Sequence, residues 1–313
     1  MSLLELSAGS LRAALAPHVG GSLASFSRVF GAARTHAGID WLRPASPQDL
    51  DRLNPLGMAS FPLVPFCNRI RNGRASFGGR EIRFPPNHPA VESPHPLHGI
   101  GWLRPWTVEE AGPSEAVLSL RVDASSAWPW HFAARQHFRL HADRLDVTLA
   151  VTNGDDVVMP VGIGHHPYFP HTPGTRLTSR TRAVWLADPE VMPTALQETE
   201  AVRQLRSGVT LADLDLDNNF VGWERQTLVE WPADAAAPAR RLLMRAQAPL
   251  DYFVLYCPRG FGHFCAEPVS QCTDWLNLLP DHGREDLGGH ELAPGETLQA
   301  SFSLVPDAGL EGL

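Results

Sequence analysis

Apolar and polar residues alternate most regularly between Phe132 and Thr152. Leu145, Val147, Leu149 and Val151 interleave with Asp146, Thr148 and Ala150, a period of two that puts one set on each face of a strand. Phe132 to Leu140 precedes it across the turn-prone His141-Ala142-Asp143-Arg144, so the two runs predict an antiparallel hairpin with one buried face. Shorter strand-type runs are read at Leu3 to Leu6, Leu11 to Ala16, Ser22 to Val29, Ala116 to Val122, Thr227 to Trp231, Arg240 to Ala246, Tyr252 to Cys257, His263 to Ala266 and Thr297 to Val305. Helix is confined to a turn or two between Gln48 and Asn54, because Pro55, Pro62 and Pro65 follow and proline removes the amide a helix interior needs. Asn72-Gly73 and Gly78-Gly79 read as hairpin turns. From Thr178 to Val209 the period is unclear, and irregular structure with short strands is expected. With no repeat and no linker, residues 1–313 predict one predominantly antiparallel all-β domain.

Composition narrows the function classes. The formal charge of -8 gives no electrostatic footprint for nucleic acid or an anionic membrane, and no apolar run reaches the roughly 18 residues of a spanning helix. All 26 basic residues are arginine, which excludes a lysine Schiff base and a Walker-type phosphate loop. Cys67, Cys257, Cys265 and Cys272 show neither CxxC nor zinc spacing. They read as reduced thiols of a cytoplasmic protein, and no cofactor is called for.

The candidate chemistry gathers in a few loops and strand ends. Gly162-Ile163-Gly164-His165-His166-Pro167-Tyr168-Phe169 follows the apolar run Val157 to Val161, so two histidines sit where a strand leaves its sheet, a suitable place for a proton-transfer group. Ser93 to Trp102 adds His95, His98 and Trp102, a hydroxyl-binding histidine beside an aromatic; no Asp, Glu or Cys stands at a ligand-like interval to complete a metal shell. Arg69, between Cys67 and Ile70, is expected to be partly buried and in need of acceptors, whereas Arg71 and Arg74 read as solvated. Asp213, Asp215 and Asp217 alternate and would share one face of a strand. Glu267 closes the apolar run that starts at His263, and burial there would raise its pKa and suit it to act as a base near neutrality.

Asn68-Arg69 before an Asn-Gly turn, Leu97-His98-Gly99, His166-Pro167-Tyr168-Phe169, Asp217-Asn218-Asn219-Phe220 and Ala266-Glu267-Pro268 occur in that order. In this the chain resembles the aldose 1-epimerases, or mutarotases, over nearly its whole length. The resemblance implies a large antiparallel β-sandwich of the galactose mutarotase type (supersandwich) whose concave face holds a sugar. It also implies Glu267 as base, His166 as acid, and Arg69, His98 and Asp217 as the residues that grip hydroxyls. His166 is chosen over His165 because the family's histidine is followed, after one residue, by Tyr-Phe. A free aldohexose such as glucose or galactose is the implied substrate.

Two other readings share these residues. A hexose-6-phosphate 1-epimerase would want a basic cluster for the phosphate, for which Arg71 and Arg74 are candidates; the segment Gly57-Met58-Ala59-Ser60-Phe61-Pro62 departs from the Gly-x-Pro-x-x-Phe-Pro pattern of that branch. A non-catalytic carbohydrate-binding module would not need both Glu267 and His166.

Overall fold

The computed structural model describes residues 2–30, 38–234 and 237–310. Antiparallel strands dominate it. One sheet has nine strands in the order Val209–Thr210, Arg176–Ser179, Gln226–Trp231, Arg240–Ala246, Thr297–Pro306, Leu145–Asn153, Phe132–Leu140, Glu115–Val122 and Thr107–Ala111. The hairpin expected from the alternating pattern lies within it: Phe132 faces Asn153 and Leu140 faces Leu145 in unbroken register. Leu145, Val147, Leu149 and Val151 are buried while the residues between them are only partly covered.

The second large sheet has eight strands and carries the site. Its path runs Pro193–Gln197, Ala183–Ala187, Leu216–Val221, Tyr252–Cys257, His263–Val269, Gly164–His165 and Pro62–Leu63, and Tyr168–Pro170 also pairs with His263–Val269. A four-stranded sheet (Leu4–Ala8, Leu11–Ala16, Ser22–Val29, Gly38–Asp40) completes the larger layers. The nine- and eight-stranded sheets share a continuous apolar core in which Trp41, Trp102, Trp128, Trp231 and Trp275 are almost wholly buried. All four cysteines are free and buried there.

Three local expectations need correction. Asn72-Gly73 is not a hairpin turn: it closes a short 3-10 turn, Arg71–Gly73, with Asn72 left-handed at φ 52°, and the hairpin Arg74–Phe77/Arg80–Arg83 turns at Gly78-Gly79 instead. The stretch after Thr178 contains a regular helix, Glu200–Ser207, which buries only Val202 and Leu205; two apolar positions are too few to give a readable helical period. The strand at His263 does not end at Ala266 but runs to Val269, through Glu267 and Pro268.

Candidate acid-base site

Two extended segments lie side by side. Gly164 and His165 pair with Leu63 and Pro62, the His166 amide donates to the Phe61 carbonyl at 3.0 Å, and the Tyr168 amide donates to Ala59 at 2.9 Å. Successive side chains of an extended backbone point to opposite faces, and the adjacent histidines part company accordingly. His165 enters the core, its ring 5.2 Å from that of Phe302 and its Nδ1 3.5 Å from Ser60 Oγ. His166 turns the other way and brings Nε2 to 3.2 Å from Glu267 Oε1.

Glu267 projects from mid-strand. On one side it is paired continuously, with Val254 opposite Glu267 and Phe253 opposite Pro268. On the other side the ladder is broken: Gly164 pairs with Val269 and Tyr168 with Cys265, leaving residues 266–268 open opposite His166. A strand tolerates proline where its ladder is already interrupted. The same gap leaves room for the two side chains to meet.

His98 stands edge-on to His166, ring centroids 5.2 Å apart at 87°. Its loop is fixed by reciprocal bonds: the Asn68 amide donates to His98 Nδ1 at 3.0 Å, and the His98 amide donates to the Asn68 carbonyl at 2.9 Å. With Nδ1 an acceptor, the neutral ring carries its proton on Nε2 and is a donor there. Asn68 and His98 are both left-handed, at φ 56° and 57°, a conformation that surrounding structure must enforce. Gly99 follows at φ 70°, and a Cβ on it would lie 2.2 Å from the Val64 carbonyl oxygen, so only glycine fits.

The Arg69 guanidinium donates to Asn68 Oδ1 at 3.1 Å and pairs with Asp217 at 3.6 Å. Asp217 lies in the strand Leu216–Val221, opposite Tyr256. Asp213 belongs to a preceding 3-10 turn and Asp215 is exposed, so the three alternate carboxylates do not share one strand face. Arg71 is not simply solvated, since it pairs with Asp188 and the buried Asp274, both at 3.4 Å. Arg74 is exposed. Trp102 is wholly buried behind Phe61, a core residue and not a sugar platform.

Burial dominates the electrostatics. It pushes the Glu267 carboxyl well above the usual carboxylate range, the negative charge of Asp217 adds to this, and Arg69 opposes it. Burial likewise drives the His166 imidazole below its ordinary value and does the same for His98, where His166 and Arg69 contribute further. Asp217 is raised by burial and pulled back by Arg69. Desolvation thus favours the uncharged forms of Glu267 and His166, while their mutual attraction at 3.2 Å favours carboxylate and imidazolium. The two arrangements hold the same number of protons.

The structure sets Glu267 against His166 and His98 edge-on to that imidazole, and pairs Arg69 with Asp217, whose charges act in opposite directions on the Glu267 carboxyl. Sequence reasoning gave no role to Phe61, whose ring stacks on His166 at 4.7 Å and 26°, or to Arg43, which covers the Tyr168 ring that also packs on the imidazole. Phe61 lies in the segment Gly57 to Pro62, which bears only on the phosphosugar pattern, and Arg43 lies near no motif.

The fold is that of the galactose mutarotase-like sandwiches. It superposes on a candidate aldose 1-epimerase from Escherichia coli K12 with a TM-score of 0.83 and 28% identity, covering 97% of this chain and 98% of that one. It also superposes on a galactose mutarotase-like protein from Clostridium acetobutylicum with a TM-score of 0.80 at 20% identity, covering 97% and 95%. The family description Aldose 1-epimerase matches residues 2–305, and the chain belongs to that family. Protein YphB of Escherichia coli K12, itself uncharacterised, is 33% identical over 261 residues, 78% of this chain and 82% of YphB.

Proposed function

We propose that the protein is a mutarotase interconverting the α and β anomers of a free aldohexose such as glucose or galactose, with residues 1–313 acting as one domain. The observation that carries the reading is the 3.2 Å approach of His166 Nε2 to Glu267 Oε1 in a buried gap of the sheet. Anomer exchange needs a base to take the O1–H proton and an acid to protonate the ring oxygen; the aldehyde end then rotates and closes on its other face with the roles reversed. Glu267 takes the first proton and His166 delivers the second. Arg69, His98 and Asp217 hold the ring hydroxyls so that only the anomeric end swings.

The buried pair suits this cycle energetically. Starting from carboxylate and imidazolium, ring opening takes a proton from His166 and gives one to Glu267, leaving carboxylic acid and neutral imidazole. Attraction favours the first form and desolvation the second, so neither end of the exchange is a deep trap. Activity needs one mobile proton on the pair. A second proton leaves an uncompensated imidazolium and removal of the last leaves a lone carboxylate, both resisted by burial. kcat/KM is therefore expected to be bell-shaped, with its acid limb below the ordinary histidine value of 6.5 and its alkaline limb above the ordinary carboxylate value of 4.5. Both limbs belong to the pair and not to either residue alone.

Free hexoses are expected to outrank hexose 6-phosphates. Arg71, a candidate for a phosphate, is engaged by Asp188 and Asp274, and the net charge is -8. Polarimetry of freshly dissolved α-glucose and α-galactose, with and without protein, tests the activity itself. A higher kcat/KM for glucose 6-phosphate than for both free sugars would overturn the substrate assignment, and the absence of any acceleration would leave the non-catalytic carbohydrate-binding module as the better reading.

A further inference from the structure

His166 is packed in a cluster of rings that extends beyond the residues assigned to proton transfer and hydroxyl binding, and its two ring neighbours Phe61 and Tyr168 also meet each other, 6.1 Å apart at 50°. Trp102 lies 5.2 Å from Phe61 at 25°, Phe61 4.7 Å from His166 at 26°, and His166 4.7 Å from Tyr168 at 25°. Behind this cluster is Arg43, whose guanidinium carbon sits 3.9 Å from the Tyr168 ring centroid. That guanidinium is itself fixed, because Nη2 donates to the carbonyls of Leu56 at 2.6 Å and Met58 at 2.8 Å. The Arg43 amide also donates to the Tyr168 carbonyl at 2.8 Å. A planar cation anchored at two points and an imidazole, both packed on the Tyr168 ring, leave that ring little freedom to tilt. A guanidinium over an aromatic face is attracted by the ring quadrupole.

We propose that Arg43 is a positioning residue for the acid: clamped between the Leu56 and Met58 carbonyls and the Tyr168 ring, it holds the His166 imidazole in the plane that aims Nε2 at the reacting oxygen. This rests on the reading of His166 as the acid. The charge of Arg43 acts in the same direction as its packing, since a cation behind Tyr168 disfavours a second proton on the Glu267–His166 pair. The other titratable or charged groups that face His166 are Glu267 from the neighbouring strand, His98 and Arg69 from the loops in front, and Tyr168 and His263 on the Arg43 side.

Two variants separate packing from charge, with α-glucose as substrate. Arg43→Lys keeps the charge but not the planar clamp, and Arg43→Gln loses both. Both are expected to lower kcat by about tenfold with KM within about twofold, the pattern of a misaligned catalytic group. Only Arg43→Gln should move the acid limb of kcat/KM to higher pH, by about half a unit or more. Unchanged kcat in folded Arg43→Lys overturns the proposal, as does an unmoved acid limb in folded Arg43→Gln. A raised KM with full kcat also overturns it, because Arg43 would then grip the sugar. If Arg43→Gln does not fold, kcat in Arg43→Lys alone decides. His166→Asn is run beside them: loss of activity there leaves any failure with Arg43, whereas full activity removes His166 as the acid and the proposal with it.

Discussion

Glu267→Gln is expected to lower kcat by roughly 10² to 10⁴, the usual span for a positioned general base, while the folded protein becomes more heat-resistant at neutral pH. Both effects come from one cause. The amide keeps the shape of the side chain in the gap opposite His166 but cannot take the O1–H proton, so turnover falls. It also abolishes an ionisation that burial resists. Burial lifts the Glu267 pKa above its ordinary value of 4.5, so above that value this carboxyl holds its proton more in the folded chain than in the unfolded one. The contribution of Glu267 to stability therefore falls as pH rises above that value. The variant escapes this loss, and its melting temperature should exceed that of the wild type by a margin that widens from acid toward neutral pH. Thermal scans at several pH values, with polarimetry on the same samples, check both halves. Near-full activity in folded Glu267→Gln would end the assignment of the base.

The adjacent histidines should fail in different ways. His166→Asn removes the imidazole that meets Glu267 at 3.2 Å and is expected to lower kcat by a factor similar to that of Glu267→Gln, about 10² to 10⁴. His165→Asn removes a ring packed in the core against Phe302. It should cost about 1–3 kcal/mol of stability, as buried substitutions commonly do, with kcat changed by only a few fold. Denaturant titration paired with steady-state kinetics on both variants makes the comparison. Equal damage to kcat from the two would mean that one strand face does not separate catalysis from packing.

Much of this division is written into the local sequence. An extended Gly164-His165-His166 must send its two rings to opposite sides, and the Tyr-Phe that follows one residue after His166 sets the register. The hairpin around residues 141–144 is equally legible, because Leu145, Val147, Leu149 and Val151 repeat with the period of a half-buried strand. Legibility fails where the determining contact is remote or where a local rule is overruled. Pro268 reads as a strand breaker, yet the strand continues to Val269 because its neighbour's ladder is already interrupted there. By alternation alone Asp217 is one of three equivalent acids; the resemblance selects it from the sequence, and its physical distinction, the pairing with Arg69 from a distant loop, shows only in the fold. Arg43 carries no signal and Phe61 figures only in the phosphosugar pattern, since their contacts arise only when residues 43 and 59–63 are laid beside 164–168.

Arg69, His98, His166, Asp217 and Glu267 belong to five separate stretches of chain, none of which contains a working part of the site by itself. Under the proposed reading, a sugar can engage these groups together only after the long-range pairings of the eight-stranded sheet have formed. Sugar binding is then linked to the global folding equilibrium and not to a local loop. A ligand present at about 100 times its dissociation constant adds about 2.7 kcal/mol to the stability of the state that binds it. The substrate is thus also a folding ligand, and the amount of active protein in a cell becomes tied to the sugar supply it serves.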